Sequence, residues 1–181
     1  MEANAHAVLR EWEAFYVIVG SSAGALTGLM FVVITLVRET LAQRSMASIS
    51  AFGTPNVIHF VAVLLIAAIL SAPWMRMKDP AHLIGLLAIS GVIYVSVVWR
   101  RMWRQTDYKA VLEDWAWHLI LPMIAYLSLF VSAAGISHDQ VWALFVAGGV
   151  SLLLVCIGIH NAWDTVTYVV LAGREEARKG A

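Results

Sequence analysis

Five stretches of this chain are apolar for about twenty residues each, and the segments between them are too short to form a domain. A run of that length crosses the ~30 Å hydrocarbon layer as a helix, with its backbone N–H and C=O groups bonded inside the segment. The chain is therefore expected to be all-α: a polytopic membrane helix bundle of five transmembrane helices, forming one domain over residues 1–181. The spans are expected near residues 14–37, 56–75, 81–99, 115–135 and 141–163, the last with a helical extension outside the membrane to about residue 172. Composition fits, since 61% of residues are hydrophobic and 13% charged, too few charges to clothe a water-soluble domain. A net charge of zero leaves no basic face for nucleic acid. Cys156 is the single cysteine, which excludes an intrachain disulfide.

Local signals set the expected helix ends. The first span lacks the basic start and short apolar core of a secretory signal, because Glu2, Glu11 and Glu13 outnumber Arg10 before it. Thr54-Pro55 and Asp79-Pro80 read as helix starts, with Pro in the first turn where its missing N–H is harmless. Pro122 removes one backbone bond and is expected to bend the fourth span. Ser137 with Gln140 resembles a capping box opening the fifth helix, and Gly173 reads as its C-terminal cap.

With five spans, Arg10, Arg76 and Lys78 fall on one side of the membrane. Arg38, Arg44, Arg100, Arg101, Arg104, Lys109, Arg174, Arg178 and Lys179 fall on the other. The positive-inside rule then places the N-terminus outside and the C-terminus in the cytoplasm, as expected of a bacterial inner-membrane protein. Arg100, Arg101, Arg104 and Lys109, flanked by Trp99 and Trp103, form a basic cytoplasmic patch suited to setting topology or to anionic lipid.

Three glycines, Gly20, Gly24 and Gly28, recur every four residues in the first span. Small residues on one face let backbones approach closely, which predicts a central, tightly packed helix. Either a neighbouring helix of the same chain covers this face, or copies of the chain pack there around an axis, with Ser21, Ser22 and Thr27 supplying hydroxyls to a polar path. His59, His118 and His160 fall at one expected depth near the cytoplasmic side, with Asp114 and Asp164 four residues from the second and third. Asn56 and Asn161 add polar atoms at that level. Ionisable groups at membrane depth are costly unless paired or wetted. The cluster is open to three readings. It is a zone of solvated headgroup contacts, a proton or ion relay, or a metal site for an ion such as zinc ligated by His59, His118, His160 and Asp164. A haem held by two of these histidines would have no second haem at another depth, which speaks against electron transfer across the bilayer.

The segments Gly20-Ser21-Ser22-Ala23-Gly24-Ala25-Leu26-Thr27-Gly28 and Phe52-Gly53-Thr54-Pro55-Asn56-Val57-Ile58-His59 resemble a group of uncharacterised small bacterial polytopic inner-membrane proteins. That resemblance implies a multi-pass membrane fold and brings no activity with it. A fainter likeness to the first helix of store-operated calcium channels, in its Ser-Ser, Ala-Leu and Gly, is not carried over, because four spans with both ends cytoplasmic conflict with the charge pattern. No phosphate-binding glycine loop, Gly-x-Ser-x-Gly turn or His-Glu-x-x-His is present, so soluble enzyme classes are excluded. The leading expectation is a homo-oligomeric channel or transport protein. The rivals are an intramembrane metal-binding protein or metalloenzyme, and a non-catalytic accessory or scaffold protein.

Overall fold

The computed structural model describes the backbone of residues 2–40, 46–104 and 112–179, with side chains over 9–35, 57–103, 113, 115–164, 166 and 167. Among these residues every regular element is helical. Helix α1 is Glu2–Thr40, α2 Met46–Ser71 and α3 Lys78–Arg104. A short α4, Leu112–Trp115, runs through a π-helical turn, Ala116–Ile120, into α5, Leu121–Ser137. The last helix, α6, is Trp142–Lys179. Among the described residues four apolar segments are long enough to cross a membrane: Leu9–Thr35, Lys78–Trp103, Ala116–Ser137 and Trp142–Asp164. In α2 the described residues form an apolar stretch over Val57–Ser71.

Several helix ends differ from expectation. Helix α2 starts at Met46 and passes through Thr54-Pro55. One proline forfeits one backbone bond, whereas ending a helix frees several N–H and C=O groups at once. Helix α6 likewise runs through Gly173, whose penalty of about 1 kcal/mol against Ala is too small to end a long helix. Ser137 opens nothing: it is the last residue of α5, its hydroxyl donates back to the Ala134 carbonyl at 2.7 Å, and α6 begins only at Trp142. The connection turns on Asp139, which takes a left-handed φ of 56°. It closes tightly because Gly135 has no side chain, since a Cβ there would meet that of Ala143 at 2.7 Å.

Helix α1 packs along α2, α2 on α6, and α5 on both α3 and α6, while α2 touches α3 only sparingly. Within one chain the first helix is consequently at the edge of the bundle. Only 22% of its apolar segment is buried inside the chain, against 50% for those of α5 and α6. Two of its three glycines meet α2: a Cβ on Gly20 would lie 2.6 Å from that of Ala67, and one on Gly24 3.2 Å from a Leu64 methyl. Gly28 has nothing within 4 Å. The core is built from Val63, Ile66 and Leu70 of α2, Ile84 of α3, Leu129 of α5, and Leu154 and Ile157 of α6. Two buried hydroxyls lock its far end. Tyr16 donates to the Leu144 carbonyl at 2.9 Å, tying α1 to α6, and Ser132 donates to the Ala143 carbonyl at 2.7 Å, tying α5 to α6.

Candidate functional site

The chemistry-bearing side chains gather toward the end of the bundle where α3 finishes. His59 of α2 is 2% exposed, and its Nδ1 shares a hydrogen bond with the hydroxyl of Tyr126 on α5 at 3.1 Å. The Tyr94 ring of α3 stands edge-on to the imidazole, with centroids 6.2 Å apart. Tyr126 reaches this position because Gly91 leaves room on α3: a Cβ there would fall 2.1 Å from the tyrosine Cδ1. Removing an imidazole and a phenol from water is costly unless each finds a partner, and here each is the other's.

His118 sits in the π-helical turn, near enough to His59 for the two imidazoles to act on each other electrostatically. The turn follows from Pro122, which has no N–H to offer the carbonyl four residues back. The chain widens there, and the N–H of Leu121 bonds to the Ala116 carbonyl. His160 of α6 belongs to a neighbouring group. Its ring stacks on Trp117 with centroids 3.9 Å apart and an 18° interplanar angle. Its Nε2 lies 3.1 Å from an oxygen of Asp164 and 3.8 Å from one of Glu113, ion-pair distances without hydrogen-bond alignment. Asn161 is buried beside it in sequence.

The three histidines therefore occupy one end of the bundle as two groups. Among the described residues no three His, Cys, Asp or Glu side chains converge to hold a metal ion. His59, His118, His160 and Asp164 accordingly form no coordinating set. Ser21 is exposed on the outside of α1, and Thr27 donates to the Ala23 carbonyl of its own helix at 2.8 Å, so neither faces an interior path within one chain. The side chains of Asn56 and Asp114 lie outside the described residues.

Where α2 and α3 splay apart, a cleft of about 210 Å³ opens. Val57, Val61 and Leu65 form its α2 wall, Leu87, Gly91 and Tyr94 its α3 wall, and Tyr126 its floor. Val61 and Leu65 are 37% and 40% exposed, so the mouth lies on the outer surface of the bundle, where a bilayer would meet it. The volume is below the ~300–1,000 Å³ of ordinary small-molecule pockets and equals about seven water-sized volumes. A methylene group is close to that size, so a single acyl chain fits better than a ring system.

Comparison with protein families, curated proteins and solved structures finds no match to this chain. The site thus rests on its own geometry.

Tyr126, Tyr94 and Gly91 were not singled out by the sequence reading. A signal was nonetheless present, because a tyrosine in the middle of an apolar span must find its hydroxyl a partner. A buried His on another helix supplies one.

Proposed function

We propose that this is a five-span bacterial inner-membrane protein, N-terminus outside and C-terminus cytoplasmic, that binds one apolar chain of an amphiphilic molecule between α2 and α3. The observation that carries the reading is a narrow apolar cleft whose mouth faces outward and whose floor is Tyr126, itself bonded to His59 behind it. Lipid tails are as apolar as its walls, so selectivity falls to shape and to the few polar groups at its end. A phenol hydroxyl has one donor and two acceptor positions, and one bond to His59 leaves it able to hold a ligand hydroxyl or carbonyl. The distribution of Lys and Arg, nine of twelve on the side of the C-terminus, supports the orientation.

The test is photocrosslinking with a fatty-acyl probe carrying a diazirine. Wild-type protein should crosslink at α2 and α3 residues of the cleft, and Val61→Trp, which fills the mouth, should abolish this. Crosslinks spread evenly over all helices would end the reading. Cysteine labelling at each terminus from each side checks the orientation, and both termini in one compartment would overturn it.

A homo-oligomeric channel or transport protein is the second reading. It is favoured by the outer face of α1, where Ser21 and Ser22 are exposed and Gly28 meets nothing. Native mass spectrometry should then show a defined oligomer and liposomes should conduct ions. A strict monomer without flux excludes it.

A further inference from the structure

We infer that the occupant of the α2–α3 cleft is an anionic phospholipid of the cytoplasmic leaflet, with one acyl chain between the helices and its phosphate on Arg101. The inference rests on the cleft reading above and adds the headgroup.

Successive residues turn about 100° around a helix axis, so Leu87, Tyr94, Val98 and Arg101 share one stripe, a sector roughly 60° wide. Two of these, Leu87 and Tyr94, line the cleft. The same wall, continued toward the end of α3, thus leads directly to a guanidinium. Gly91, deep in the cleft, precedes Arg101 by about 15 Å along the axis, which is the depth of one leaflet of a ~30 Å hydrocarbon layer. Arg101 lies about two turns beyond Tyr94 on the same stripe, toward the C-terminal end of α3. Both Arg100 and Arg101 are exposed, and among the described residues no carboxylate pairs with either. Trp99 and Trp103, 46% and 72% exposed, flank them as residues of a headgroup zone do. An arginine fork matches a phosphate bidentately, and a basic side chain at an anionic surface is worth about five-fold in affinity. The chain therefore offers one molecule two complementary features at the right separation: a slot for a tail and an exposed cation for a phosphate.

The full-length protein in nanodiscs of phosphatidylcholine with a minority of phosphatidylglycerol provides the test, with retained lipid read by native mass spectrometry after release into detergent. Wild type should retain phosphatidylglycerol in preference to phosphatidylcholine. Arg101→Gln should lower that preference about five-fold while total retained lipid stays, and Arg101→Lys should lose less. Lys78→Gln, at the other end of α3, should leave the preference unchanged. Val61→Trp should remove retention of both lipids. If Arg101→Gln keeps the full preference while Val61→Trp abolishes retention, the headgroup assignment is overturned and the cleft reading stands. If Val61→Trp retains both lipids, the cleft reading itself fails.

Discussion

Gly91→Ala tests the packing on which the site depends. An added Cβ would lie 2.1, 2.3 and 2.4 Å from Cδ1, Cε1 and Cγ of Tyr126, where carbon atoms need about 3.5–4.0 Å. The ring must move more than 1 Å, yet Tyr126 is 1% exposed, so packed neighbours must shift with it. Overpacking of this kind costs about 1–3 kcal/mol. The same movement breaks the 3.1 Å contact to His59, and leaving a buried polar atom without its partner adds about 1–3 kcal/mol. Alanine's better helix propensity returns about 0.5–1 kcal/mol. The net expectation is a destabilisation of about 3 kcal/mol, measured by unfolding in mixed SDS micelles followed by tryptophan fluorescence. In a Tyr126→Ala background the ring is gone and both penalties with it, so Gly91→Ala should there be neutral or mildly stabilising. An equal cost in the two backgrounds, or a cost below about 0.5 kcal/mol in the wild type, would show that Gly91 is not what seats Tyr126.

Gly28→Ala is the contrasting substitution: nothing lies within 4 Å, so it should be neutral or stabilise by up to about 1 kcal/mol in the same assay. Tyr16→Phe removes the buried donor to the Leu144 carbonyl and should cost about 1–2 kcal/mol, with hydrogen exchange rising where α1 meets α6. Trp117→Leu removes the ring stacked on His160 and should cost about 1 kcal/mol while leaving acyl-probe crosslinking at the cleft intact, because the two groups are separate.

Hydropathy made the helical class and the long apolar segments legible, because lipid admits few other backbone arrangements. Helix ends were less so. Thr54-Pro55 and Gly173 carry the residue types of a boundary, but cap energies of about 1 kcal/mol yield to the continuity of a long helix, whereas Ser137 with Gln140 falls at the close of α5 and in the turn after it. The repeat of Gly20, Gly24 and Gly28 announced close packing, which α2 supplies at Gly20 and Gly24 and nothing in the chain supplies at Gly28, since spacing says which face is small and not what lies against it. Similarly, shared depth placed the three histidines at one end. The directions of their side chains, which put His59 with Tyr126 and His160 with Trp117, depend on helix rotation that depth does not encode. The cleft itself arises from how far α2 and α3 splay, a property of the assembled bundle.

The widened turn at Ala116–Ile120 gives this part of the chain an unusual tolerance of altered residue number. In an ordinary spanning segment, deleting one position swings all that precedes it by about 100° and exchanges its lipid side for its protein side. Here the surplus position is already stored, so a deletion would relax the turn toward regular winding while everything from Pro122 onward keeps its seat. Length variation among descendants of this chain should therefore collect just ahead of that proline and spare the stretch holding Tyr126.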